Sequence, residues 1–343
     1  MIKAIFSRKN NKKKKYTFVI LNYNSFYFLK KCIKSIENQS NIKQNIFEVL
    51  ILDNGSVKPE IDLILDYLYS VNIKNISLFY SSKNLGFAKG NNELSKKSNS
   101  EYLIFLNSDT ILSKNYLKEI DKHSLDLKKN ICGGNMRNFN GKELLKYNEF
   151  MSIDLTFMPC KHKFETYIDG ANLIIRKSTF LKLGMFDEMF FIYQEDVDLC
   201  LRALLSGFSL LTIKSANFKH YGTGSMKSEK NINYKKLYLS ERNSSIIIFK
   251  IMGKLYIFFY FIFYLLIFRT LLTIFFLPFN FQFSKCLFSA NFYIIKNMKK
   301  ILKKRKIFLK KKVKNDFYIL RLCKIYPSRF TQLSNRLIQM LKN

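Results

Sequence analysis

Residues 47–56 read FEVLILDNGS, a compact apolar run that halts at an acid and a turn sequence. Aliphatic and aromatic residues bounded by Asp, Asn, Gly and Ser predict a strand that ends in a tight turn. Outward from it, YTFVILN (16–22), NISLFY (75–80) and YLIFLN (102–107) are runs of the same kind. Helical periodicity fills the intervals: FYFLKKCIKSIENQ (26–39), EIDLILDYLYS (60–70), GFAKGNNELSKK (86–97) and KNYLKEIDKHSL (114–125). Strands and helices that alternate in this way predict βαβ units and a mostly parallel sheet covered on both faces. Such sheets take ligands at the carboxyl ends of their strands. Polar residues collect there: Asn22 and Asn24 after the first strand, Asp53 and Asn54 after the second, Asn84 after the third, Asn107 and Asp109 after the fourth. Turns use the same residue types, but four successive strands ending so predict a ligand crevice.

The 343 residues suffice for a catalytic domain with an appendage, and 48% hydrophobic content is ample for a core. The formal net charge is +33, concentrated in RKNNKKKK near the start and in a Lys/Arg-dense segment after about residue 295. That clustering suggests contact with a polyanion, either anionic lipid or nucleic acid. A nucleic-acid reader is disfavoured, because no reader motif is present and acids would line the crevice. Six cysteines without a CxxC pair read as reduced, mostly buried thiols of a cytosolic protein, and the short apolar run after the basic start predicts no secretory signal. The stretch NLGFAKGNN (84–92) has neither the GxxxxGK[ST] nor the GxGxxG spacing, so the ATPase and nicotinamide readings lose their main support.

Further along, IYQEDVDLCLRALLSGF (192–208) packs Glu195, Asp196 and Asp198 into a helix start. Acids there complement the helix dipole, Asp198 and Arg202 are spaced for an i,i+4 surface pair, and Gly207 terminates the apolar stripe. The segment from about 133 to 168 reads as irregular. Near the end, LYIFFYFIFYLLIF (255–268) is too short for the roughly 20 residues of a membrane span, and its extension to Phe281 takes in Arg269 and Pro278. An interfacial or re-entrant helical hairpin beside a Lys-rich segment on anionic lipid is therefore expected, the alternative being a buried helix pair in a soluble C-terminal bundle.

The stretches ILNYN, ILDNGS, NLGFAKGNN, FLNSDT, DGANLIIRKSTFLKLGMFDEMFFIYQEDVDLCLRALLSGF and KHYGTGS, in this order over roughly residues 17–225, resemble family 2 glycosyltransferases of bacterial surface-polysaccharide synthesis, particularly the rhamnosyltransferase-like branch. The resemblance implies a GT-A fold, α/β with a central mostly parallel sheet, and inverting transfer from a nucleotide-diphosphate sugar. By the same resemblance Asp196 is the base. Asp109 and His220 are ligands of a divalent cation, manganese or magnesium, with Asn107 standing where many relatives carry the first acid of the D-x-D pair. Asp53 and Asn54, with Asn22 and Asn24 beside them and Asn84 nearby, match positions around the nucleotide. Gly170 and Ala171 match the sugar and acceptor pocket, and Glu195 an acceptor-binding or supporting group. A helix N-terminus is expected to keep the Asp196 carboxylate ionised. The organisation expected is a basic N-terminal segment (1–15), a GT-A catalytic domain (16–230) and a helical, membrane-associating C-terminal region (231–343). The acceptor is expected to be a lipid-linked glycan, and the location the cytoplasmic face of the inner or plasma membrane, peripheral or monotopic. An inactive membrane scaffold is the remaining alternative.

Overall fold

The computed structural model describes residues 2–8, 12–40, 42–138, 140–142, 149–222 and 233–325. It divides into two compact units, one of residues 1–147, 168–200 and 208–227, the other of residues 148–167, 201–207 and 228–343.

The first unit is built on a nine-stranded sheet. In chain order its elements are β1 (Lys3–Arg8), β2 (Lys14–Asn22), α1 (Phe26–Glu37), β3 (Phe47–Asp53), α2 (Lys58–Ser70), β4 (Ile76–Tyr80), α3 (Phe87–Lys96), β5 (Ser100–Asn107), β6 (Thr110–Leu112), α4 (Tyr116–Lys122), α5 (Ser124–Lys129) and β7 (Asn130–Arg137). After β8 (Phe150–Ile153) and β9 (Pro159–His162), which belong to the second unit, follow β10 (Asn172–Arg176), α6 (Lys177–Leu183), α7 (Glu195–Leu205), whose residues from 201 on are counted with the second unit, and β11 (Ser209–His220). The spatial order is β1-β4-β3-β2-β5-β10-β7-β11-β6. The four strands β4, β3, β2 and β5 are parallel, as the alternation predicts. Beyond β5 the sheet becomes mixed, because β10 runs antiparallel to both β5 and β7.

Register places the chemistry. Asn22 pairs with Asp53 across β2 and β3, and Leu21 with Asn107 across β2 and β5, so the polar ends lie at one level. Behind them Phe18, Ile20, Val49, Ile51 and Ile104 are buried in the main core with Leu29, Ile33 and Leu68 from the helices. Truncating one such side chain to Ala costs about 2–5 kcal/mol.

Three local expectations are corrected. The helix expected over 114–125 is two, α4 and α5, divided at His123. The segment read as irregular holds β7 and the β8–β9 hairpin, which pairs Phe150 with His162 and Ile153 with Pro159. Within the basic N-terminal segment, β1 forms an edge strand antiparallel to β4.

The second unit is mainly helical: α8 (Tyr234–Ile251), α9 (Lys254–Phe259), a π-helix (Tyr260–Arg269), α10 (Thr270–Phe276), α11 (Phe281–Leu309) and α12 (Asp316–Leu320). The apolar run thus lies in one helical stretch, 254–276, long and apolar enough to cross a membrane. All six cysteines are free; Cys160 and Cys286 are partly exposed and the other four buried.

Candidate active site

Strand β2 ends at Asn22, whose side chain is wholly buried. Its Nδ2 donates to Asp53 Oδ2 at 3.1 Å, to Glu60 Oε1 at 3.3 Å and to Ser56 Oγ at 3.4 Å, while its Oδ1 has no hydrogen-bond partner among the described residues. Asp53 Oδ1 accepts the Ser56 N–H at 3.0 Å. Asn24 adopts a left-handed backbone, with φ 47°, and its Oδ1 accepts the Val57 N–H. Asn54 Oδ1 accepts the Leu85 N–H, and its Nδ2 donates to Asn84 Oδ1, which also accepts the Gly86 N–H. The five nucleotide-side candidates are therefore brought together, and all are also hydrogen-bonded parts of the strand-end turns. Loop rigidity and ligand contact draw on the same atoms.

The antiparallel pairing of β6 with β11 sets His220 opposite Thr110, one residue from Asp109. His220 Nε2 lies 3.1 Å from Asp109 Oδ1 and 3.4 Å from Asn107 Nδ2. The Tyr221 N–H donates to the Asp109 carbonyl and closes this corner. Burial opposes the charged imidazole, yet the hydrogen bond and charge of Asp109, helped by Asp169, outweigh it and hold the His220 pKa above its ordinary value. A carboxylate oxygen and an imidazole nitrogen in contact are a donor set that suits a divalent cation whose other ligands are diphosphate oxygens. Asn107 turns its amide nitrogen towards His220, where a second acid would supply an anionic oxygen. No group of three or more His, Cys, Asp or Glu with metal-site geometry occurs among the described residues.

Helix α7 opens the other side. Tyr193 and Gln194 both have positive φ, 70° and 64°, a sharp and unusual entry that turns the chain into the helix at Glu195. Asp196 Oδ2 accepts the Gly170 N–H at 2.8 Å, and Oδ1 accepts the Val197 N–H at 2.8 Å. The loop carrying Gly170 is itself fixed by Asp169, whose Oδ1 accepts the Ala171 N–H at 2.8 Å, and by Ala171, whose carbonyl accepts the Asn107 N–H. A Cβ on Gly170 would sit 3.3 Å from Phe87 Cζ and 3.4 Å from Asp196 Oδ2. A methyl group at Gly170 would thus fit against the carboxylate with a shift of a few tenths of an ångström in the Phe87 ring.

The expectation that the helix start keeps Asp196 readily ionised is corrected. Burial and the negative charge of Asp169 push its pKa up to about 7, although the N–H donors of Gly170 and Val197 pull the other way. Glu195 is buried beside it, and burial together with the Asp196 charge raises its pKa well above the ordinary value. Its Oε2 has no hydrogen-bond partner among the described residues. Asp198 and Arg202, whose i,i+4 spacing would serve a surface pair and which the resemblance makes an internal scaffold pair, are both buried. Asp169 was missed in the sequence because Asp-Gly reads first as a turn; the available signal was an acid directly before the two small residues singled out.

A mixed sheet whose parallel strands end in amides and carboxylates, faced by a helix that opens on acids, defines the GT-A class of nucleotide-sugar folds. The chain belongs to glycosyl transferase family 2, whose model matches residues 17–199. It is 26% identical over 160 residues to the rhamnosyltransferase WbbL of Escherichia coli (strain K12), a stretch covering 40% of this chain and 61% of that one. It is 27% identical over 117 residues to the poly(ribitol-phosphate) beta-N-acetylglucosaminyltransferase TarS of Staphylococcus aureus (strain Mu50 / ATCC 700699), covering 33% of this chain and 20% of that one. The matches thus span less than two thirds of either relative. Among solved structures, GalNAc-T7 with UDP, GalNAc and Mn2+ superposes with a TM-score of 0.58 at 14% identity, covering 73% of this chain and 50% of that one. TarS 1–349 in complex with UDP gives 0.51 at 16% identity, covering 73% and 72%. These likenesses show the fold.

Proposed function

We propose that this protein is an inverting glycosyltransferase that moves a sugar from a nucleotide-diphosphate donor to a glycan acceptor in bacterial surface-polysaccharide synthesis. The observation that carries the reading is Asp196: a half-buried carboxylate gripped by two backbone N–H groups, with a pKa pushed up to about 7, the range a general base needs. The acceptor hydroxyl oxygen bonds to the anomeric carbon from the face opposite the diphosphate, its proton passes to Asp196, and the bond from carbon to diphosphate oxygen breaks. Asn22, Asn24, Asp53, Asn54 and Asn84 hold the nucleoside side of the donor. Gly170 and Ala171 line the sugar and acceptor pocket, and Glu195 orients the acceptor. Asp109 and His220, with Asn107 beside them, would hold a manganese or magnesium ion through the diphosphate; such an ion neutralises charge on the leaving group. The likeness to WbbL supports rhamnose as the sugar. A lipid-linked acceptor is supported by the apolar segment 254–276 and the basic α11, which suit a peripheral or monotopic place at the cytoplasmic face of an anionic membrane. On this reading residues 16–230 supply catalysis and 231–343 the membrane contact.

The test begins with a thermal-shift screen of nucleotide diphosphates and their sugars with manganese or magnesium, since a ligand that binds only the native state raises the melting temperature. With the donor so identified, Asp196→Asn is expected to lower transfer about 10²-fold or more with donor binding little changed. Near-normal turnover in that variant removes Asp196 from the mechanism. Chelation and Asp109→Ala are both expected to abolish the cation-dependent part of the donor's thermal shift. A shift that persists in chelator would mean the ion is dispensable.

A further inference from the structure

The second unit carries an apolar surface that its own packing leaves open. In the stretch 254–276 one face is turned inward: Tyr260, Leu265, Arg269 and Phe276 are buried. Arg269 is almost wholly buried, although it sits in the most apolar part of the chain. Its guanidinium pairs with Glu241 of α8, donates to Asn291 Oδ1 of α11 at 2.7 Å and to Ser245 Oγ at 3.3 Å, and lies 5.2 Å from the ring centre of Tyr264. Tyr260 meets Ser245 Oγ at 3.0 Å. This polar seam fixes which face of the helix turns in, because breaking it would strand a buried charge.

The opposite face is bare. Leu255, Phe258, Phe259, Phe263, Leu266, Ile267, Leu271, Ile274 and Phe275 are exposed, at the three- and four-residue spacing of a single stripe. Helix α11 repeats the pattern. Phe281, Phe288, Ile295, Leu302 and Leu309 recur every seven residues, between 40% and 69% exposed, and Lys285, Lys296, Lys299, Lys303 and Lys306 flank them. Patches of this extent on a soluble surface mark an interaction site.

We infer that these two exposed stripes are a lipid-facing surface on which the helix 254–276 lies along the plane of an anionic leaflet without crossing it. The inference rests on the membrane reading above and adds the orientation and the contact face. Two observations decide against a crossing. Arg269 and its Glu241 partner would be carried into hydrocarbon, where charges are costly. Asn291, held to Arg269, would draw the neighbouring Lys285 and Lys296 of α11 in with it. Charge chooses the occupant. From Lys296 to Lys314 there are ten lysines and one arginine without an acid, so a second copy of this face would oppose like charge to like charge, whereas anionic headgroups complement it. Lysine stems can cover apolar surface while their ammonium groups reach the headgroups.

The chain contains no Trp, so a single introduced Trp reports one depth. Phe258→Trp, Ile267→Trp and Phe275→Trp in the full chain, each at an exposed position, are to be read by quenching in phosphatidylglycerol/phosphatidylcholine vesicles with bromines at graded acyl depths. The outer two positions are about 25 Å apart along the helix, close to the roughly 30 Å of a hydrocarbon core. A helix lying flat gives all three the same shallow profile. A deepest signal at position 267, or a steady gradient from 258 to 275, overturns the inference while leaving membrane binding intact. Protein that stays in the supernatant with all three unquenched overturns the membrane reading itself. Self-association without quenching assigns the face to a second copy and overturns both.

Discussion

Asp196, the proposed base, has its proton affinity raised first by burial and then by the charge of Asp169. Asp196 is bracketed by Glu195 on its own helix, by Asp169 on the preceding loop and by the N–H groups of Gly170 and Val197. A base works when deprotonated, so with a pKa near 7 transfer is expected to rise with pH through about 7. Asp169→Asn keeps an oxygen for the Ala171 N–H but removes the neighbouring charge, so the rise should move to lower pH; an unmoved profile would separate Asp169 from the base. Stability has the opposite sign. A carboxyl raised in the folded state binds its proton more tightly there than in the unfolded chain, so stability falls as pH climbs from the ordinary Asp value of 3.8 towards 7. Asp196→Asn should therefore melt a few degrees above the parent at pH 8 while losing activity, and a lower melting temperature would mean that lost turnover reflects damage. Asp196, Asp109 and His220 were legible as members of a motif order. Asp169 and the protonation of the site were not, because burial and mutual charge exist only after folding.

At the scale of elements, apolar runs revealed β2, β3, β4 and β5 and the helices between them, since each strand is buried over most of its length. β1 escaped because it is mostly exposed, and the β8–β9 hairpin because its strands are short and partly exposed, so their sequences carry little apolar signal. The division at His123 has no counterpart in periodicity, which continues across it. The junction of α3 with the loop before α7 depends on one glycine. Gly86 has φ +79°, its carbonyl accepts from Asn54 Nδ2, and the next N–H, of Phe87, donates to the Phe191 carbonyl at 2.7 Å. A Cβ there would lie 2.4 Å from that carbonyl oxygen. Both the left-handed backbone and the clash oppose any side chain. Gly86→Ala is expected to destabilise the protein by about 2 kcal/mol or more, measured by denaturant unfolding. A change below about 0.5 kcal/mol would mean that the loop before α7 moves aside freely.

For the whole molecule, the charge of +33 and the bare apolar stripes would, on the proposed reading, act on a membrane by different physics, and salt separates them. Lys/Arg attraction to anionic headgroups is screened within about 10 Å at 0.1 M salt and about 3 Å at 1 M, whereas burial of Phe, Leu and Ile side chains in the acyl boundary is not. The sequence made both ingredients visible but could not say whether the apolar run is packed or exposed, because one helix is both: Arg269 and Tyr260 inward, Phe258 and Ile267 outward. A purely electrostatic contact would release the protein completely in 1 M salt. A purely apolar one would bind neutral and anionic vesicles alike. With both, the full chain should sediment with phosphatidylglycerol-containing vesicles, bind pure phosphatidylcholine at least tenfold more weakly at low salt, and lose only that difference in 1 M salt. Replacing Lys296, Lys299, Lys303 and Lys306 by Gln should weaken the lipid-charge preference while leaving the salt-resistant part. If those four replacements leave the preference unchanged, the basic face that meets the membrane lies elsewhere on the chain.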